Sequence, residues 1–374
     1  MKTEQTRWTQ GHGWEPTPPG RLGAAAQLVL LFGSPSVLKE QCHLDEIKKA
    51  YPNAHLLGCS TGGEIYDTQV FDDSLVATAI QFEDTQVRGL RIKLSDRDSS
   101  FEVGKQLAHE LDKKGLVHVF VLSDGLSVNG GELIAGLAKH LPAHVAITGG
   151  LAGDGDRFQE TLVFWDSAPE KDVIAVLGFY GDRLRVGYAA LGGWDPFGPE
   201  RLITRSKGNV LYELDGKSAL KLYKTYLGDM PVWLIPLSLR IPGRATPIVR
   251  TVVSFNEDEQ SMTVSGGDLA EGVYARFMKA NFDRLVNGAI GAAKTSYEAL
   301  GSSSPDLAVL VSCAGRKWVL KQRTEEEVEG VRDVLGDRAV LTGFYGYGEI
   351  SPLTPGTQCD FHNETMTITV FSEK

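Results

Sequence analysis

Paired cysteines, long apolar runs and clusters of basic residues are all missing from this chain. Its four cysteines, Cys42, Cys59, Cys313 and Cys359, are scattered with no Cys-x-x-Cys pair, so neither a zinc site nor a disulfide framework is indicated. No apolar stretch approaches the roughly 20 residues that cross a bilayer. Met1 to Arg21 is polar and proline-bearing, without the apolar core of a signal peptide. A net charge of −10 and the lack of a basic stripe argue against nucleic acid, whose phosphates need clustered Lys and Arg. These absences lead us to expect a cytoplasmic protein with no nucleic-acid partner and no membrane insertion.

Familiar catalytic and nucleotide signatures are missing as well. There is no Gly-x-Ser-x-Gly elbow and no His-Glu-x-x-His helix. Gly153-Asp154-Gly155 and Gly346-Tyr347-Gly348 fail as dinucleotide fingerprints, because Phe158 and Ser351 stand where the third glycine belongs. Gly216-Lys217-Ser218 ends like a phosphate loop, but Leu211 occupies its leading glycine position.

What the chain does have is one glycine-rich sentence written twice. Gly58-Cys59-Ser60-Thr61-Gly62-Gly63-Glu64-Ile65 is matched by Gly343-Phe344-Tyr345-Gly346-Tyr347-Gly348-Glu349-Ile350. A looser copy, Gly149-Gly150-Leu151-Ala152-Gly153-Asp154-Gly155, lies between them. Each copy follows the same order of elements. An apolar run comes first: Leu28 to Ser34, Val117 to Ser123, Leu307 to Ser312. A helical stretch follows, then a second apolar run into the glycines: Ala54 to Leu57, His144 to Thr148, Ala339 to Thr342. Strand, helix, strand is the unit of a parallel sheet. Alternating runs follow the first two copies, Ser74 to Phe82 with Gln86 to Leu94, and Lys171 to Phe179 with Arg183 to Leu191. Thr365 to Phe371 alternates strictly after the last.

The expected fold class is therefore α/β: repeated βαβ units with glycine-rich loops, extended by antiparallel strands, in two halves. At 374 residues the chain suits two or three domains. We read 1–25 as an N-terminal arm, poorly ordered except where Trp8 and Trp14 dock, with domains at 26–199 and 200–374. The boundary lies in the turn-rich stretch Gly192 to Pro199. Beyond it, Ser218 to Leu227 has helical spacing, and Val249 to Phe255 with Ser261 to Ser265 reads as a hairpin. Asn281 to Leu300 carries one apolar stripe and stops at Gly301.

These motifs resemble the FIST family, a bacterial sensory module with an N-terminal and a C-terminal FIST domain. The resemblance rests on the three glycine copies together with Glu213-Leu214-Asp215-Gly216 ahead of Ala219-Leu220. It implies cytoplasmic sensing of small ligands, with amino acids proposed for many members. It also implies, for a subset, haem-based nitric oxide sensing that acts on histidine kinases or cyclic-di-GMP enzymes. The chain leaves no room for an output domain, so the expected output is a separate signalling protein of such a kind. No cofactor is the first expectation and haem the alternative. A haem needs an axial ligand, and none of the eight histidines stands in a Cys-x-x-Cys-His attachment.

The candidate ligand-binding residues are Ser60, Thr61, Gly62, Gly63, Glu64, Gly153, Asp154, Arg316, Tyr345, Gly346, Tyr347 and Glu349. Glycine loops at strand ends offer free amides to a carboxylate or phosphate; the alternative is that they only permit tight turns. Glu64 and Glu349 recur at one offset and suit an ammonium group, or else cap neighbouring backbone. Tyr345 and Tyr347 offer flat faces with hydroxyl tips, or pack as buried aromatics. Arg316 follows a strand exit, where it can hold a carboxylate or form a salt bridge. Asp124 and Asn129 occupy the corresponding exit of the second copy, where capping is the competing role. The expectation is one shared pocket at the junction of the halves, in a protein that is not an enzyme. The rival is an enzyme using Cys59 as nucleophile, against a small cysteine packed at a turn.

Overall fold

Three strand–helix–strand units form as the repeats predict. The computed structural model describes residues 1–95, 99–228, 230–244, 246–267 and 269–373. Leu28–Gly33 pairs in parallel with His55–Ser60, Leu116–Ser123 with Ala146–Leu151, and Leu307–Cys313 with Val340–Gly346. A third strand lies antiparallel beside the first of each unit: Ser74–Gln81, Val173–Tyr180 and Met366–Glu373. These strands read as unbroken apolar runs because both faces are buried. Leu28, Leu30 and Phe32 face one way into a core shared by all three units, with Phe120, Phe344 and Phe371. Val29 and Leu31 face the other way, toward Leu44 and Ile47 of the helix Gln41–Ala50.

Each unit is the centre of a six-stranded sheet whose outer strands are exchanged. The first sheet takes Val163–Trp165 from the second unit, and the second takes Gly348–Pro352 and Cys359–His362 from the third. The third sheet takes Glu64–Tyr66 and Gln69–Phe71 from the first. On the opposite edges, Gln86–Lys93 joins the second sheet and Leu184–Leu191 joins the third. To close this cycle a strand must follow Met366–Glu373 into the first sheet. The chain supplies it from its beginning: Lys2–Thr9 lies there, antiparallel to Ser74–Gln81.

The reading of residues 1–25 as a poorly ordered arm is thereby corrected. Their polarity reflects a hairpin at the edge of the sheet, Lys2–Thr9 with Gly13–Glu15, whose ladder is made by backbone, not a segment without structure. Buried Glu4 accepts the amides of Gly20, Arg21 and Leu22, and the ring of Trp8 lies 4.1 Å from that of His43.

Residues 195–279 form a separate antiparallel sheet between the second and third units. The expected connector at 192–199 is partly strand here. Asp195–Lys207 runs through it, with a register shift between Phe197 and Arg201 that accommodates Gly198 and Pro199. The predicted hairpin is Val252–Asn256 with Ser261–Val264. Helix Ala219–Leu227 packs on this sheet through Leu220 and Tyr223, and Ser218 caps it by accepting the Lys221 amide. Helix Phe282–Ala299 covers the third sheet. Among the described residues no helix is long and apolar enough to cross a membrane.

Candidate functional site

Gly58, Gly149 and Gly343 occupy equivalent places, but inside the second strands and not at their exits. A side chain there would collide with the neighbouring strand. An added Cβ would lie 2.3, 1.9 and 1.9 Å from the carbonyl oxygens of Leu31, Val121 and Leu310. The three loops beyond them do meet, in a closed ring of backbone hydrogen bonds. Gly62 N–H donates to Tyr345 O (2.7 Å), Tyr347 N–H to Leu151 O (3.1 Å) and Gly153 N–H to Ser60 O (3.0 Å). The amides that the sequence offers to an anion are therefore consumed by the loops themselves. Their glycines serve mutual approach: a Cβ on Gly153 would lie 3.1 Å from Gly62 N.

Most of the candidate side chains hold this ring together. Ser60 Oγ donates to Gly153 O and accepts the Leu162 amide, both at 2.8 Å. Glu64 accepts from Thr61 Oγ1 and from both the amide and hydroxyl of Ser74. Glu349 repeats this pattern with the amide and hydroxyl of Thr365. Burial pushes Glu64 up to about 7 against the hydrogen bonds of Thr61 and Ser74, and pushes Glu349 upward as well. Asp154 accepts the amides of Phe158, Gln159 and Glu160 and the Tyr347 hydroxyl. Burial opposes its charge, but those donors hold its carboxyl below the ordinary value.

Arg316 is corrected from ligand clamp to internal ion pair. It is fully buried, and Nη2 donates to Glu327 Oε2 at 2.7 Å and to Leu285 O at 2.9 Å. Tyr345 is buried with its hydroxyl 2.8 Å from Glu327 Oε1, so it faces that pair and not a cleft. Cys59 is fully buried in the central core, where desolvation and then Glu64 push its thiol upward; that is the reverse of what a nucleophile needs. Asn129 is the cap of helix Gly130–His140, as its competing role foresaw, and Asp124 accepts the amides of Leu126 and Ser127.

Two clefts open beside the ring, separated by Trp318, which lines both. The polar one, about 540 Å³, is lined by Thr61, Gly62, Gly63 and Glu64 opposite Lys317 and Lys321. Lys317 Nζ donates to Gly62 O at 2.9 Å and pairs with Asp72. The other, about 330 Å³, lies at the seam between the three-unit body and the inserted sheet. From the body it takes Leu126, Phe158, Cys313, Gly315, Trp318, Gly346 and Tyr347; from the insert it takes Trp233, Thr251, Val252 and Val253. The glutamates do not share a pocket: Glu64 lines the polar cleft and Glu349 lines neither.

Aromatic rings form one wall of the seam cleft. Phe158 stacks on Tyr347 (4.8 Å, 14°), stands edge-on to Trp318 (5.7 Å, 67°), and Trp318 meets Trp233 (5.9 Å, 71°). Phe158 is 44% and Trp233 37% exposed, so these rings keep open faces. The cleft floor bears on Glu364. Thr251 Oγ1 donates to Glu364 Oε1 at 2.8 Å, and Arg250 Nη1 donates to Phe361 O at 3.2 Å, tying insert to body. Burial raises Glu364 to about 7, and Oε2 has no partner among the described residues. No histidine lines this cleft among the described residues, so it does not fit a histidine-ligated haem.

Sequence reasoning missed Phe158, Trp318 and Trp233, and with them the cleft. The available signal was slight: Phe158 closes the second glycine loop, and Trp318 lies two residues beyond Arg316. Nothing local announces that Trp233, on the short helical turn Val232–Leu234, reaches them from the inserted segment.

Comparisons place the chain among known proteins. It is 25% identical over 313 residues to the uncharacterized protein MJ1623 of Methanocaldococcus jannaschii, covering 76% of this chain and 59% of that protein. The chain thus spans about three fifths of that relative's length. A solved cyanuric acid hydrolase from A. caulinodans aligns over 100% of this chain and 99% of its own, at 8% identity and a TM-score of 0.37. That score is too low to bear on this chain's activity. Family models match a FIST N domain at residues 27–217 and a FIST C domain at 219–352, so the chain belongs to the FIST family.

Proposed function

We propose that this protein senses a small ligand in the seam cleft, without chemical conversion, and signals through a separate protein. FIST domains are sensory domains. The observation that carries the reading is the open aromatic wall of Tyr347, Phe158, Trp318 and Trp233 at a joint between two bodies of structure. A flat apolar ligand part stacks well on such rings, while the hydroxyls of Thr251 and Ser265 suit a polar end. An amino acid with an aromatic or long apolar side chain meets that description and is small enough to enter this cleft. A ligand touching both insert and body favours one arrangement of the seam over another, which is the differential affinity a signal requires. Histidine kinases and cyclic-di-GMP enzymes are the partner classes we would test first.

A thermal-shift screen of amino acids on the full chain, followed by calorimetry, tests the site. Phe158→Ala and Trp318→Ala should each weaken a confirmed ligand about tenfold, the loss of one aromatic contact with its buried area. Undiminished affinity in both variants removes the ligand from the seam. Consumption of the ligand during incubation would show turnover and overturn the non-catalytic reading.

A further inference from the structure

We propose that Glu40, Cys42 and His43, at the start of helix Gln41–Ala50, form a binding site for a zinc-class divalent transition-metal ion. One donor atom from each of the three lies within 4.8 Å of the others. The site is remote from both clefts in its lining and involves none of the residues discussed above for ligand binding.

The arrangement is unusual in two ways that point to a ligand. His43 is only 5% exposed, yet its Nε2 has no hydrogen-bond partner among the described residues. Glu40 Oε2 lies 3.2 Å from Nε2 but out of line for a hydrogen bond. Glu40 also stands at the N-cap and makes no side-chain cap bond there. Its carboxylate thus serves neither the helix nor a well-made bond to the imidazole. Two donors that face a common third point are separated in this way. Bonds of about 2.0–2.1 Å to a tetrahedral ion put neighbouring oxygen and nitrogen ligands about 3.3 Å apart.

The donor set selects the ion. A thiolate with an imidazole suits zinc and its neighbours, and disfavours magnesium and calcium, which take oxygen ligands. The positive end of a helix opposes a cation; the thiolate and carboxylate together offset that field and the ion's own charge. Three protein ligands leave a fourth position for water. The absence of a Cys-x-x-Cys pair does not bear on this site, because it uses one cysteine only.

The imidazole is held from outside the helix. Trp8 lies 4.1 Å and Trp14 6.5 Å from the His43 ring, and Trp14 Nε1 donates to Glu46 Oε2 at 2.9 Å. Both tryptophans belong to the N-terminal hairpin that completes the first sheet. Ion binding is therefore coupled to docking of that hairpin, and tryptophan fluorescence reports it.

Co²⁺ alone, added to the full chain under reducing conditions, is the probe. One ion per chain is expected, with a thiolate-to-cobalt charge-transfer band, quenched tryptophan fluorescence, and displacement by Zn²⁺. Cys42 and Glu40 are exposed, so Cys42→Ser and Glu40→Gln should fold normally. Cys42→Ser should abolish the band, and each should weaken Zn²⁺ by at least the roughly 10–100-fold that loss of a mere supporting partner costs. No charge-transfer band, or a band that survives in Cys42→Ser, overturns the site. So does unchanged Zn²⁺ affinity in both variants.

Discussion

Replacing Glu364 with glutamine should make the protein's stability depend less on pH, by an amount that follows from where Glu364 sits. It is fully buried under the seam cleft, with one oxygen bonded by Thr251 and the other without a partner among the described residues. Burial raises its carboxyl from an ordinary 4.5 to about 7, against the opposing effects of Thr251 and Arg316. Between those values the folded protein keeps a proton that the unfolded chain has released. Stability is therefore highest below the unfolded value and falls as pH rises through the folded one. At about 1.36 kcal/mol per pH unit, a separation of roughly 2.5 units amounts to about 3 kcal/mol. Glutamine carries no such penalty. The stability of Glu364→Gln relative to wild type should thus improve by about 2–3 kcal/mol between pH 5 and pH 8, read from urea unfolding. Buried His118 and His362, lowered to about 3 and about 4 by desolvation, tilt both proteins alike and cancel in the difference. Glu349 is raised partly by the charge of Glu364, so its response adds in the same direction. A difference that stays constant from pH 5 to pH 8 would refute the argument.

Other expectations concern the scaffold. Gly149→Ala places a Cβ 1.9 Å from Val121 O at a φ of +142°, and should cost at least the roughly 1–3 kcal/mol of overpacking; an unchanged melting temperature would count against the strand geometry. Arg316→Met leaves Glu327 buried and unpaired, a loss of about 3–5 kcal/mol in denaturant unfolding, much of which Arg316→Met with Glu327→Gln should recover. In native protein Cys42 should alkylate at once and Cys59 only as the chain unfolds. Fast labelling of Cys59 would revive it as a nucleophile.

The repeat was legible because parallel strands with two buried faces leave long apolar runs, and because Gly58, Gly149 and Gly343 each face a backbone carbonyl too close for a side chain. Where the runs ended was also readable to within a few residues. The exchange of outer strands was not. Glu64–Tyr66 and Gly348–Pro352 are short, and their partners lie in other units, so no local pattern records the pairing. Lys2–Thr9 was misread for a related reason: a hairpin strand near the edge of a sheet, held by main-chain bonds, needs few apolar residues. At the site, the sequence singled out loops that do converge, but it could not tell that their amides and carboxylates serve one another. Glu64 and Glu349 recur because each anchors the strand that follows, at Ser74 and Thr365. Recurrence at one offset marked a shared structural task.

That outcome suggests where in such a molecule to look for a ligand. A pseudo-threefold body satisfies its own loops three times over, so the repeated residues are the ones already occupied. The seam cleft, Gly346 and Tyr347 apart, is made instead largely from what is not repeated. Phe158 sits in a stretch between Gly155 and Leu162 that the first and third loops lack, since those loops pass directly into Glu64–Tyr66 and Gly348–Pro352. Trp233, on a short helical turn, and Val253 come from the inserted segment 195–279, which the third unit alone has before it. Trp318 lies on the short helix Ala314–Leu320, which follows the first strand of the third unit and precedes the helix Thr324–Leu335. Each departure from the repeat adds a ring to one wall. Exposed aromatics are costly to keep on a surface without a use, and here they are gathered at the only joint where the insert meets the body through a buried, pH-sensitive carboxylate among the described residues. On the proposed reading, the symmetric core supplies rigidity, and the broken symmetry supplies the place where a ligand moves one part against the other.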